Sequence, residues 1–260
     1  MNDNTSASDI SESLLASLRA GADAESKAFE FDSEGLKESV ELLTRVWLAQ
    51  ALSPGESLLS FGRFGRFEVR RLLGRGSFSA VFEAFDTTLQ RAVALKIPRP
   101  EVLADATLRA RFMLDAETAA NLRHPNIVPV FETGQVGPVC YTVAAFIDGP
   151  NMAEWLAKSV GSIDPIQSAA LLRELSDAVT HAHQHGVLHR DIKPSNILLD
   201  TSADDCSNLI PFVAKLTDFG LAKQTTSPHK MTQTGALVGT IAYMAPEQLA
   251  GTGNAVAAYS

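Results

Sequence analysis

Between Phe64 and Pro98 the chain breaks into three short apolar runs, RFEVRRLLG, SAVFEAFD and AVALKIP, each closed by Gly, Asp or Pro. Runs of that length and punctuation predict successive antiparallel strands. A helix is predicted over about Thr107–Leu122, followed by two further strands in NIVPVFETG and VCYTVAAFI. Beyond Asn151 the period changes. MAEWLAKS and PIQSAALLRELSDAVTHAHQHG carry helical spacing, and the second segment closes at Gly186, as helix C-termini often do. A mostly β half therefore precedes a mostly helical half, with no internal repeat, which is an α+β class of fold.

With 45% hydrophobic and 20% charged residues in 260, the chain can bury a substantial core. Its net charge of -8 is unevenly placed: residues 1–60 hold 11 acidic and 4 basic residues, residues 61–260 hold 19 and 18. The acidity thus belongs to an N-terminal leader, and no broad basic surface for nucleic acid remains. The two cysteines, Cys140 and Cys206, form neither a disulfide framework nor a CxxC zinc pattern, which favours a reducing, cytoplasmic location. MNDNTSASDI lacks the basic start and apolar stretch of a secretory signal, and no run of about 18 apolar residues predicts a membrane segment in this chain.

Residues 1–60 read as the acidic leader, mobile or weakly helical up to residue 34. Leu36, Val40, Leu43 and Trp47 then recur at steps of four, three and four, which predicts an amphipathic helix near 35–52, closed by SPGE. Its apolar face either packs on the domain that follows or binds a partner.

The chemistry-bearing residues are concentrated in a few segments. LGRGSFSAV places glycines at 74 and 76 between two strands, where they allow close backbone approach to a phosphate and dihedrals closed to other residues. In VALK, Lys96 sits on a strand among apolar neighbours, which an ammonium tolerates when it has an anionic partner. VLHRDIKPSNILLD then offers Asp191 to accept a proton, Lys193 to neutralise a phosphate oxygen and Asn196 to give a carbonyl to a hard cation. LTDFG adds Asp218 as a second oxygen ligand suited to magnesium.

In this order and spacing, GRGSFSAV, VALK, HRDIKPSN, DFG and APE resemble the motif set of the eukaryotic-like serine/threonine protein kinases found in bacteria. The resemblance covers residues 64–260. It implies a bilobal protein-kinase-like fold: a β-rich N-lobe with one main helix over about 64–147, and a mostly helical C-lobe over about 148–260. It also implies transfer of the γ-phosphoryl group of ATP, with Mg2+, to Ser/Thr hydroxyls of protein substrates. Leu73, Gly74, Gly76, Val81, Ala94 and Leu198 would enclose the nucleotide, and Lys96 would hold its α- and β-phosphates. Ala145 would offer a carbonyl and Ile147 an N–H to the adenine, with Ala144 as gatekeeper. Asp191 is implied as the catalytic base, with Lys193 and Thr240 beside it, and Asn196 and Asp218 as metal ligands. Thr232 and Thr234 are implied sites of activating phosphorylation, gripped by Arg190, the alternative being that they only keep a loop soluble.

The chain departs from the family pattern at several points. The helix position that normally supplies glutamate to the strand lysine holds Asp115, one methylene or roughly 1.5 Å shorter. Glu117 falls about 200° away around the helix and should face elsewhere. Ser79 replaces the third glycine. The sequence ends 13 residues after Glu247, so the resemblance implies a C-terminally incomplete C-lobe, exposed apolar surface and a Glu247 without its usual arginine. These departures support an alternative, a nucleotide-binding pseudokinase or scaffold, although Lys96, Asp191 and Asp218 are all present. A third reading makes the leader helix the functional part. DTSADDCSNLIPFVAK is longer than a tight hairpin needs and reads as a surface insertion. His181 and His185, four apart, have a spacing that can bind zinc; with no third ligand evident, a solvated helix end is the favoured reading.

Overall fold

The computed structural model describes residues 62–76, 78–137, 139–158, 164–202, 211–219 and 243–244. The leader and its amphipathic helix, Cys206, Thr232, Thr234, Thr240 and Glu247 lie outside the described residues. The chain forms two units, one of residues up to Glu117 with Phe131–Phe146, the other of Thr118–Val130 with the residues from Ile147 onward.

The first unit is built on a six-stranded sheet of order β1-β2-β3-β4-β6-β5. Its strands are β1 (Gly62–Phe64), β2 (Phe67–Arg75), β3 (Ser79–Asp86), β4 (Arg91–Pro98), β5 (Val130–Val136) and β6 (Val139–Ala145). The period-two pattern works as expected: Phe67 and Val69 of β2, Phe82 and Ala84 of β3, and Val93, Leu95 and Ile97 of β4 are buried together. Tyr141 of β6 meets Phe64 and Phe67 edge-on, with ring centroids 5.6 and 5.3 Å away. Two helices follow β4: α1 (Pro100–Ala104) and α2 (Ala106–Ala120), the second capped by Asp105, whose Oδ1 accepts from the amides of Thr107 and Leu108 at 2.8 and 3.1 Å. β1 and α1 escape the sequence reading because three and five residues are too few to show a period.

An ion pair between the half-buried Arg66 and a buried carboxylate fastens the tight turns of this sheet. Arg66 Nη2 lies 3.1 Å from Oδ2 of the fully buried Asp86 and 2.8 Å from Glu132 Oε1. Asp86 Oδ1 also accepts from the amides of Thr88 and Leu89, both at 3.0 Å. Burial alone pushes the Asp86 carboxyl up, but the Leu89 amide, the Arg66 guanidinium and the Thr88 amide outweigh it and leave the group below the ordinary carboxylate value.

The second unit contains α3 (Met152–Lys158), α4 (Pro165–Gln184), a 3-10 turn at Pro194–Asn196 and the hairpin β7 (Ile197–Asp200) with β8 (Val213–Leu216). Helix α4 starts where Asp164 accepts from the Ile166 amide at 3.0 Å, with Pro165 at its first position. It ends at Gly186, whose φ of 74° lets the Val187 amide return to the Ala182 carbonyl and the Gly186 amide to the His183 carbonyl, both at 2.9 Å. That pair of bonds is a Schellman close and explains why glycine stands there. Leu175, Ala178 and Ala182 of α4, Ile197 and Leu199 of β7, and Ala214 and Leu216 of β8 share one core with Leu122 and Ile127. Truncating a fully buried leucine such as Leu199 would cost about 2–5 kcal/mol. The turn after α2 belongs to this unit because its backbone is stitched to β8: the Val128 amide donates to the Leu216 carbonyl at 2.9 Å and the Leu216 amide to the Asn126 carbonyl at 2.8 Å.

Candidate active site

In the first unit, strand register brings separate motifs into one row. Gly74 of β2 pairs with Val81 of β3, Val81 with Lys96 of β4, and Lys96 with Thr142 of β6. Ala94 stands across from Ala144 in the same way. Because alternate residues share a face, Val81, Ala94 and Lys96 lie on the side of the sheet opposite the buried Val93, Leu95 and Ile97. Leu73 is exposed, and Ala145 ends β6 one residue from Ala144. On α2, Asp115 is half-buried and Glu117 exposed, in keeping with the turn of helix between them.

The glycine-rich segment differs from the expectation in one respect. Neither Gly74 nor Gly76 has a positive φ, so the left-handed freedom of glycine is not used at either position. A Cβ added at Gly74 would meet no atom of the described residues within 4 Å, so their packing does not demand glycine there. Gly76 closes the strand turn through its amide, which donates to the Ser79 carbonyl at 2.8 Å, and Ser79 itself opens β3 opposite Pro98.

In the second unit, the segment after α4 gathers the charged side chains around Asp191. Lys193 Nζ lies 2.9 Å from Asp191 Oδ2. Asn196 Nδ2 donates to the same oxygen at 3.1 Å and to the Asp191 backbone carbonyl at 2.8 Å. The carboxylate is therefore held by a cation and an amide converging on one oxygen, and Asn196 is buried with its side-chain Nδ2 as the donor and its Oδ1 as an acceptor of the hard-oxygen type. Asn196 immediately precedes β7, and Asp218 follows β8 by two residues. The Ile197–Leu216 pairing and the 3.0 Å bond from the Thr217 amide to the Asn196 carbonyl bring these two chain segments together. Leu198, on the face of β7 away from the core, is half-buried, as are Ile147 and Arg190. Arg190 and Asp218 have φ of 63° and 62°, a region that few residues other than glycine adopt.

His189 is the residue that sequence reasoning left without a role. It is fully buried, its Nε2 donates to the Thr217 carbonyl at 2.9 Å, and its Nδ1 accepts from the Asp191 amide at 3.3 Å. Its ring lies 4.6 Å from that of Phe219. One neutral imidazole thus ties the segment bearing Asp191 to the segment bearing Asp218. Burial holds its pKa below the ordinary histidine value, against the raising effect of the Thr217 carbonyl, Asp218 and Asp191. The signal in the sequence was a histidine following the apolar pair Val187 and Leu188, a place where an imidazole is buried only with both nitrogens engaged.

Asn196 and Asp218 fit a magnesium ion by donor type: one amide carbonyl and one carboxylate, a small set of hard oxygens of the kind that leaves the rest of the coordination shell to water and substrate phosphates. A family model described as the protein kinase domain matches residues 67–260. The chain belongs to the protein kinase family. Among relatives of this kinase chain, serine/threonine-protein kinase PknD of Mycobacterium tuberculosis is 40% identical over 189 residues, 73% of this chain and 27% of PknD. PrkC of Bacillus subtilis is 34% identical over 187 residues, 72% of this chain and 27% of the relative. The kinase chain therefore spans about a quarter of the length of these proteins. Among solved structures, the Mycobacterium tuberculosis PknI kinase domain superposes with a TM-score of 0.53 at 30% identity, over 65% of each chain. Rad53 1-466 in complex with AMP-PNP gives 0.55 at 27% identity, over 73% of this chain and 44% of Rad53. Among the described residues no helix is long and apolar enough to cross a membrane.

Proposed function

We propose that the kinase chain transfers the γ-phosphoryl group of ATP to Ser/Thr hydroxyls of proteins, its own residues Thr232 and Thr234 among them, in bacterial-type signalling. The observation that carries this reading is the convergence of Lys193 Nζ and Asn196 Nδ2 on Asp191 Oδ2, at 2.9 and 3.1 Å. Phosphoryl transfer proceeds through a loose, highly charged transition state, so catalysis consists mainly of positioning and charge stabilisation. Asp191 accepts the proton of the attacking hydroxyl as its oxygen bonds to the γ-phosphorus and the bond to the β-phosphate oxygen breaks, releasing ADP. Lys193 stabilises charge on the moving phosphoryl group, and Thr240 is assigned the preference for Ser/Thr acceptors by its place in the motif. Lys96, balanced by Asp115, orients the α- and β-phosphates. To the adenine we assign Leu73, Val81, Ala94 and Ala145 of the first unit and Ile147 and Leu198 of the second, and to the phosphates the open backbone at Gly74 and Gly76. Asn196 and Asp218 would hold magnesium, which would supply neutralisation of charge on the phosphate oxygens. Arg190 grips the phosphorylated Thr232 or Thr234.

Residues 1–60 are assigned to a leader and 64–260 to the catalytic domain, divided near residue 147. A reducing cytoplasm suits Cys140, which is buried and free, its thiol pushed up to about 11 by burial. The test is the intact mass of wild type and Asp191→Ala after incubation with ATP and magnesium. Whole-phosphate additions on the wild type, absent from the variant, establish the transferase. Thermal stabilisation by ATP with no additions on either chain would instead support the nucleotide-binding scaffold.

A further inference from the structure

The spacing of His181 and His185 offered a pair; the fold brings a third imidazole against it. His124, in the turn after α2, has its ring centroid 5.3 Å from that of His181, which in turn lies 4.3 Å from that of His185. The rings are tilted by 40° and 39° in a stack, and among the described residues no group of three such side chains could hold a metal ion. His181 is half-buried against His124, so this end of α4 is not simply solvated. Hydrogen bonds settle the tautomers. His124 Nδ1 accepts from the Asn126 amide at 3.1 Å, which leaves the proton of the neutral ring on Nε2, and His185 Nδ1 donates to the His181 carbonyl at 2.8 Å. His181 Nε2 is buried and has no hydrogen-bond partner among the described residues. A second proton on His124 can go only to Nδ1, where it would confront the Asn126 N–H.

Charged groups of both signs surround the stack. On α4, Asp177 attracts it, while Glu174 is engaged by Asn126 Nδ2 at 3.3 Å. On β8, Lys215 Nζ reaches the Pro125 carbonyl at 2.9 Å and Asp200 at 3.8 Å, and Arg123 is exposed beside His124 in the chain. Burial and the neighbouring His181 outweigh Asp177 and hold His124 below the ordinary histidine value.

We propose that His124, His181 and His185 form an acid-released latch that, when neutral, fastens the turn at 124–128 to α4 and β8, and that loosens when protons enter the stack. The turn it fastens is the one whose Asn126 binds the Ala214 carbonyl through Nδ2 at 2.9 Å and pairs with Leu216 along the backbone. Strand β8 runs directly into Thr217 and Asp218, so release loosens the support of Asp218. Only that last consequence rests on the role proposed for Asp218 in phosphoryl transfer; the latch does not.

The experiment uses the whole 260-residue chain without nucleotide. Hydrogen-exchange protection of the Val128 and Leu216 amides is followed from about pH 7.5 to 5.5, across the histidine range, and corrected for intrinsic exchange. Two variants are compared: His181→Phe, which keeps a ring that cannot charge, and His124→Asn, which keeps an acceptor for the Asn126 amide. The wild type should lose up to about tenfold more protection per pH unit below about 6.5 than either variant. In the wild type, the His124 ring resonances should titrate below those of an ordinary histidine. Equal loss of protection in all three chains, or a His124 ring titrating at or above the ordinary value, would overturn the latch. If a variant does not fold, the wild-type ring titration still decides. A chain with no kinase activity would leave both readouts unchanged.

Discussion

Replacing His189 with Phe separates the volume of the imidazole from its two hydrogen bonds. The ring volume and the contact with Phe219, at 4.6 Å between centroids, are largely kept. The Thr217 carbonyl loses its 2.9 Å partner and the Asp191 amide its 3.3 Å partner. A buried polar group left unpaired costs about 1–3 kcal/mol, and both backbone groups here are half-buried, so the pair should cost about 2–3 kcal/mol at pH 7.5. The pH dependence supplies an independent check with a defined sign. The folded state prefers the neutral ring of His189, so its contribution is complete above the unfolded value of about 6.5 and is lost as pH falls from there toward the depressed folded value. Between about pH 6.5 and 5.5 one such group can remove at most about 1.4 kcal/mol. Urea denaturation of both chains at pH 7.5 and 5.5 measures this. The variant should be less stable at the higher pH and should lose about 1 kcal/mol less than wild type on acidification. Because the Asp191 backbone is released, transfer should also fall by about tenfold to a hundredfold. Unchanged stability at pH 7.5 together with an unchanged pH slope would show that the imidazole is not the tie that its geometry describes.

Two further substitutions probe the second unit. Gly149→Ala would drive a Cβ into the backbone carbonyl of Leu199, which β7 pairing holds in place, so a loss of about 2–3 kcal/mol is expected in thermal or urea unfolding; wild-type stability would mean that the 147–151 segment can shift. Asn196→Asp would set a second carboxylate against Asp191 where an amide now donates at 2.8 and 3.1 Å, and initial transfer rates should fall about 10²–10³-fold while circular dichroism shows the fold retained. A rate within threefold of wild type would remove Asn196 from the machinery.

Strands β3 and β4 were legible because each buries one face and a period of two survives in the sequence: they lie where SAVFEAFD and AVALKIP predict them. The close of helix α4 was legible, since Gly186 at φ 74° is a local requirement just past the helix end. The roles of Gly74 and Gly76 were read less well. The expectation rested on dihedrals, but both have ordinary φ, and what the structure shows at Gly74 is open space in front of the backbone.

What the sequence determined by itself is the chemistry: which residue types stand at Lys96, Asp191, Asn196 and Asp218, at which spacing, and therefore which family the chain resembles. Those features are linear, because each motif is a few consecutive residues whose chemistry is written in their side chains. What only tertiary structure decided is who meets whom. Val81, Lys96 and Thr142 share a row because β4 lies between β3 and β6, an order no local pattern encodes. His189 became the tie between Asp191 and Thr217, and His124 joined His181 and His185, through contacts 28 and 57 residues apart in sequence. Such pairings follow from burying one common core while satisfying every buried polar group within it, a condition on the whole chain rather than on any segment.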